Sequence, residues 1–248
     1  MTGRALIAEF AKMRHLQMWL LAAALAVVVA GAGLGAGTAT PDFDGVSDSS
    51  WDTLLLGLGS GFTLAAPLLI ALIASRLVDA EHRGGGWLMS ATAGVAPGQL
   101  CRVKLLALGF LVAGATVLTS AAFTAVGFAV GIEAAWPAGR WIGLTLCVLA
   151  VNLVLLALHV VLAARVENQL VGMGVGLLGT VLALFSSAVP APIAALTPWG
   201  HYSLAAASEY VDGQLVARSP EYAAVAGLLG VAAGLCALLT RSFDRQEA

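Results

Sequence analysis

Six long runs without a single Asp, Glu, Lys or Arg divide this chain, and they limit its fold more than any other feature. They cover residues 15–41, 53–75, 105–132, 141–164, 168–208 and 222–240. A helix crosses the hydrocarbon core of a bilayer with about 20 mostly apolar residues. A charge at its centre costs about 2.5–3.5 kcal/mol, so each run is a candidate span. The fifth is about twice the length that one crossing needs, and Pro190, Pro192 and Pro198 interrupt it. It reads as a full span followed by a short re-entrant helix in the outer leaflet. Only 10% of the 248 residues are charged, against about 25% in a soluble domain, so a water-facing surface is excluded. The expected fold is an all-α integral membrane protein, one domain over residues 1–248. Its six transmembrane helices fall at about 16–38, 53–78, 105–131, 141–164, 170–189 and 222–240.

Lys and Arg set the orientation. With the N-terminus inside, the inner segments carry Arg4, Lys12, Arg14, Arg76, Arg83, Arg102, Lys104, Arg165, Arg241 and Arg245. The outer loops hold only Arg140 and Arg218, and the first outer loop has four Asp residues (42, 44, 48 and 52). Both termini are therefore expected in the cytoplasm. Residues 1–14 place Leu6, Phe10 and Met13 at i, i+4 and i+7 with Ile7 beside them, while Arg4, Glu9 and Lys12 lie elsewhere on the wheel. This pattern predicts an amphipathic helix on the inner leaflet, with Phe10 dipping in and Lys12 and Arg14 facing headgroups; a basic stop that only sets topology is the simpler alternative.

Glycines recur in the spans, several of them four apart: Gly31, Gly33, Gly35 and Gly37; Gly57 and Gly61; Gly172, Gly174, Gly176 and Gly179; Gly230 and Gly234. Such spacing lets membrane helices approach closely. The match of residues 174–179 to GxGxxG lacks a strand–turn–helix context and is no dinucleotide site. On the fourth span Thr145, Asn152 and His159 are seven apart and share a face. A polar stripe in a membrane helix faces protein or water, so it marks either a pathway or interhelical hydrogen bonds, with the latter favoured. His159 lies six residues from Arg165 and reads as close to the inner interface, where solvation is cheap. The stretch 190–206 holds Pro190, Pro198, Trp199 and Tyr202, residues suited to a re-entrant piece or to an outer loop with aromatic anchors.

Chemistry for catalysis is missing. The chain has no GxxxxGK[ST], HExxH or GxSxG motif, its four histidines are scattered, and no carboxylate pair lies within a span. Three cysteines far apart suggest neither a disulfide framework nor a zinc site. No basic surplus points to nucleic acid. No activity as an enzyme and no bound cofactor are expected.

The one compact polar interruption in the first half is residues 77–89, LVDAEHRGGGWLM, followed by Pro97, Arg102 and Lys104. The three glycines break the preceding helix. A short helix at about 86–93 then carries Trp87, Leu88 and Met89 outside the bilayer, where they need the leaflet or a soluble partner to cover them.

Glu81 followed by Gly86-Trp87-Leu88-Met89, then Pro97 and Lys104, resembles the ABC-2 family of transporter permease subunits. Within it the chain looks most like the permeases of lantibiotic-immunity and bacitracin-resistance exporters. The triple glycine departs from that pattern. The resemblance implies a subunit of an ABC exporter in the bacterial cytoplasmic (inner) membrane, acting in antibiotic resistance. ATP and Mg would be bound by separate soluble ATPase subunits, two per transporter, with a second permease copy or a paralogous permease and membrane lipid as further partners. It further implies that Glu81, Arg83, Trp87, Leu88 and Met89 couple to the ATPase, and that the substrate is an amphipathic peptide antibiotic or lipid-like compound. The competing readings are a non-transporting structural or regulatory membrane subunit and a secondary transporter.

Overall fold

The computed structural model describes residues 2–246. Helix α1 (Thr2–His15) is separated from α2 (Met18–Thr38) by Gln17, whose backbone is left-handed. There follow α3 (Asp48–Gly84), α4 (Gly86–Thr92), α5 (Pro97–Val130), α6 (Ala138–Arg165) and α7 (Gln169–Phe185), which continues into a 3-10 turn at Ser186–Ala188. Two one-turn helices, α8 (Ala191–Ala194) and α9 (His201–Leu204), precede strands β1 (Ser208–Val211) and β2 (Gln214–Ala217), and α10 (Tyr222–Gln246) closes the chain. Six of these helices are long and apolar enough to cross a membrane: α2, α3, α5, α6, α7 with its 3-10 turn, and α10.

Two helices far outrun the charge-free segments that predict them. α3 has 37 residues and α5 has 34, about 55 and 51 Å at 1.5 Å per residue, against a hydrocarbon core of about 30 Å. Charge limits how deep a residue can sit and does not by itself end a helix. α3 therefore starts among Asp48 and Asp52 and runs on through Asp79, Glu81 and Arg83 until Gly85 stops it. It also passes through Pro67 unbroken.

α3 is the centre of the fold, packed by α2, α5, α6 and α7. Against α2 the fit depends on glycine. A Cβ on Gly33 would strike the Gly57 carbonyl, one on Gly57 the Gly33 carbonyl, and one on Gly61 the Val29 carbonyl. Against α7, a Cβ on Gly176 would strike Ala71. Gly31 and Gly35 of α2 and Gly174 of α7, on other faces, meet nothing, nor do Gly230 and Gly234 of α10. The buried core runs through Leu54, Leu58, Phe62, Ile70, Ile73 and Leu77 of α3 to Phe123 of α5 and Val151 and Leu155 of α6.

One element departs from the all-α expectation. β1 and β2 form an antiparallel hairpin, Ser208 opposite Ala217 and Val211 opposite Gln214. Its turn is Asp212-Gly213, with positive φ at both residues (50° and 79°), the two-residue turn whose twist matches paired strands. Tyr210 donates a 2.8 Å hydrogen bond to Asp42 Oδ2, tying the hairpin to the α2–α3 loop.

Candidate functional site

At the end of α3 the backbone makes the break that the triple glycine announces. Gly84 is still helical, Gly85 takes φ +62°, a conformation cheap only for glycine, and α4 begins at Gly86. Gly94, with φ +76°, ends the short helix before Pro97 opens α5. α4 thus hangs between two glycine turns. Leu88 and Met89 are 73% and 69% exposed. Trp87 does not share their exposure: it turns back onto His82 and donates from Nε1 to His82 Nδ1 (3.3 Å). His82 Nε2 in turn donates to the Ala163 carbonyl (2.9 Å), so a single neutral tautomer satisfies both contacts. Arg83 pairs with Asp79 at 2.9 Å, one turn back on α3. The exposed tip of α4 is therefore Leu88 and Met89, while Trp87 and Arg83 are engaged within the chain.

Beneath α4 lies a buried ionic cluster. Lys104 is 0% exposed, Glu9 1% and Glu81 2%. Lys104 Nζ donates to Glu9 Oε2 (2.7 Å) and Glu81 Oε1 (2.6 Å). Lys12 Nζ donates to Glu9 Oε1 (2.9 Å) and to the same Glu81 oxygen (2.6 Å). Two acids and two bases from α1, α3 and α5 close a charge-balanced ring. Burial pulls the Lys12 ammonium down, but its bonds to Glu81 and Glu9 outweigh this and hold its pKa above 10.5. A Cβ on Gly86 would collide with Glu81 Oε2, so the first residue of α4 rests directly on the ring.

This arrangement corrects the reading of α1. Glu9 does not lie on a solvated polar face; with Met13 it forms the buried face, while Ile7, Phe10 and Arg14 point outward. Lys104, counted with the inner basic residues, is likewise fully buried. A local wheel cannot reveal a carboxylate whose partner stands 95 positions away. The available signal was an acid inside an otherwise apolar-and-basic first helix and a lysine abutting an apolar run.

The polar stripe of α6 faces α5. Thr145 Oγ1 lies 2.6 Å from Ser120 Oγ, and Trp141 Nε1 donates to the same Ser120 hydroxyl (3.0 Å). Asn152 Nδ2 donates to Thr116 Oγ1 (2.9 Å), and its Oδ1 accepts from Tyr202 (2.6 Å). His159 is buried with neither ring nitrogen bonded, so its nearness to Arg165 does not solvate it. Pro190 opens α8. Pro198 precedes Trp199, whose indole lies over Gly179 of α7. Trp199 and Tyr202 thus turn into the protein rather than toward a membrane interface, and Asn152, Tyr202's partner, sits near the middle of the 28-residue α6.

The far end of α3 has its own charged contact. Arg140, at the start of α6, pairs with Asp52, which Ser208 of β1 also approaches (3.4 Å). Trp51 packs edge-on against Phe128 and Trp141, at 5.3 and 5.7 Å between ring centroids, and its Nε1 donates to the Ala134 carbonyl (3.0 Å). Among the described residues no group of three His, Cys, Asp or Glu side chains could hold a metal.

No curated protein matches the sequence. Residues 5–183, from α1 to the end of α7 and well over half of the chain, match the family described as ABC-2 family transporter protein. With six helices long and apolar enough to cross a membrane, the chain is a multi-pass membrane protein, in bacteria one of the inner membrane, and belongs to the ABC-2 family of transporter proteins.

Proposed function

We propose that the chain is the membrane-spanning permease subunit of an ABC exporter and that α4 is where a separate ATPase takes hold. One observation carries this reading: the exposed Leu88–Met89 tip is seated through Gly86 on the Glu9–Lys12–Glu81–Lys104 ring. An exposed apolar pair on a helix held at both ends suits a groove on a soluble partner. The charge ring ties that helix's base to α1, α3 and α5, so a push on α4 moves three helices together. α1, with Ile7 and Phe10 outward, then lies on the cytoplasmic leaflet beside the ATPase contact. In this orientation the N-terminus is inside, as the distribution of Lys and Arg supports, and α8 and α9 form a re-entrant piece toward the outer leaflet.

A cavity of 430 Å³ between α3, α7 and the hairpin supports an amphipathic cargo. Leu55, Leu56 and Leu184 share its wall with Ser60, Thr63 and Ser186. It suits a molecule with both an apolar and a hydrogen-bonding face, such as an amphipathic peptide antibiotic or a lipid-like compound. Two such permease halves, two copies or a copy and a paralogue, would bring α3 and α7 together around the path, with two ATPases below.

The test is purification of the complex from membranes and identification of its other chains. An ATPase with a Walker motif is expected, and the double variant Leu88→Ser, Met89→Ser should lose it while keeping the fold, since both side chains are exposed. If no ATPase co-purifies with the wild-type chain, the reading falls to that of a non-transporting subunit or a secondary transporter. If the double variant retains the ATPase and transports normally, α4 is not the contact.

A further inference from the structure

We propose that the groove between α6 and α10 holds one acyl chain of an anionic phospholipid from the leaflet on the α4 side, with its phosphate on Arg165. The groove has a volume of 580 Å³, within the roughly 300–1,000 Å³ of ligand pockets. Its walls are aliphatic side chains of two membrane-crossing helices, among them Val154 and Val161 of α6 and Val231 and Leu235 of α10. Residues 195–198 and His201 bound it toward the far side. The polar groups there are already engaged: His201 Nδ1 donates to the Thr197 carbonyl (2.8 Å), and Thr197 Oγ1 accepts from the Gly200 amide (3.2 Å). The groove therefore offers little to water and much to a hydrocarbon chain.

The groove runs along α10 from Ala224 to Leu239, about 22 Å at 1.5 Å per residue, and along α6 from Val154 to Val161. Its charged end is Arg165, where α6 ends on the α4 side, and this end fixes the leaflet of the headgroup. Charge complementarity then names the lipid. Arg165 stands one turn beyond Val161, over the ring of Phe243 (5.0 Å) and against Ser242 Oγ (3.4 Å), one turn past Leu239 of the groove. Its side chain is exposed and makes no ion pair among the described residues. A guanidinium at the mouth of an apolar groove, at interface depth, matches a phosphate diester above its own acyl chain. A second copy of the protein would have to present a matching apolar ridge and an acid to the same place.

Lipid binding in the groove can be measured without a transport cycle. The purified full chain is titrated in detergent with palmitoyl-oleoyl phosphatidylglycerol or the phosphatidylcholine analogue, and bound lipid is counted by native mass spectrometry. The wild type should retain one phosphatidylglycerol in preference to phosphatidylcholine. Arg165→Gln should weaken phosphatidylglycerol about fivefold and phosphatidylcholine less, because the choline ammonium already offsets the charge of the same phosphate diester. Gly227→Trp should abolish both, because a side chain there meets no neighbour and enters the groove. Gly230→Trp, also open but outside the groove, should bind as wild type and serves as the folding control. Equal retention of the two lipids by the wild type, or unchanged retention in both groove variants, overturns the proposal. So does an oxidative cross-link between Cys236 of two copies in native membranes, which would place a second chain in the groove.

Discussion

Helix α3 carries a charged contact at each end, and the two are built differently. At the α4 end three of the four charged groups are sealed from solvent, and each acid accepts from two lysines. At the hairpin end one acid meets one arginine that is partly open to water, beside a ring of tryptophans. Buried charges without partners are far more costly than exposed ones. The first contact is therefore all-or-none, and the second can loosen in steps. The tight joint also lies under the element proposed to receive force, while the loose one adjoins the 430 Å³ cavity and the hairpin. A rigid input end and a more yielding far end are what a helix needs if movement of α4 is to open a space at its opposite terminus.

The comparison breaks most directly at Lys104. Lys104→Met removes one base and leaves Glu9 and Glu81 to share Lys12. Loss of one partner from a buried pair costs about 3–5 kcal/mol, so thermal unfolding in detergent should shift by that much or the chain should fail to accumulate. Adding Glu9→Gln restores the balance to one acid and one base and should recover part of the loss. If Lys104→Met unfolds like the wild type, the ring does not anchor α1.

Gly86→Ala attacks the same joint from α4. Its Cβ collides with Glu81 Oε2, so Glu81 or α4 must shift, at about 1–3 kcal/mol by the usual cost of overpacking. The expected signature is normal ATPase binding through Leu88 and Met89 with weakened coupling of ATP hydrolysis to transport. Full coupling in this variant would show that the seat of α4 on Glu81 is incidental.

Arg140→Gln probes the other end. It leaves Asp52 with Ser208, so the cost should be about 1.5–3 kcal/mol, the range of a single charged hydrogen bond. Unfolding that matches or exceeds that of Lys104→Met would erase the contrast between the two ends.

How far these two ends could be read from the chain differs in the same way. The six spans were legible because an unpaired charge is expensive in hydrocarbon, and this rule acts on each residue separately. Gly85 was legible as a break within the triple glycine, and Gly33 and Gly57 as packing sites, because backbone conformation and small size are local properties. The Glu9–Lys104 bond was not, since a pairing between helices depends on how they pack. The same holds for Tyr202 on Asn152 and for Trp199 over Gly179: aromatic residues near prolines look like interface anchors until a neighbouring helix supplies a partner. The hairpin did leave a local mark in Asp212-Gly213, but four-residue strands are short beside the apolar runs around them. His159 shows the limit of judging depth by distance along a helix, because other helices, not the bilayer, enclose it.

The smallest expected effect separates the two sides by pH. Lys12 titrates above its ordinary 10.5, so its hold on Glu9 and Glu81 is complete at neutral pH and is lost only as pH rises through the raised value. Asp44, in the loop before α3, behaves in the opposite sense. Amide bonds from Val46 and Ser47 (both 2.9 Å), with the Ser47 and Ser50 hydroxyls, hold its carboxyl below the ordinary 3.8. Its contribution is complete above that ordinary value and is lost as pH falls through the depressed one. Acidification from pH 7 to 5 should therefore leave both features intact. Asp44→Asn should do at neutral pH what protonation does only in strong acid, because a neutral acceptor binds amides less strongly than a carboxylate. Hydrogen exchange at Val46 and Ser47 should then rise a few-fold while the α1 amides stay as protected as in the wild type. A simultaneous rise in α1 would mean that the two ends of α3 open together, and that the loose contact and the sealed ring belong to one cooperative unit.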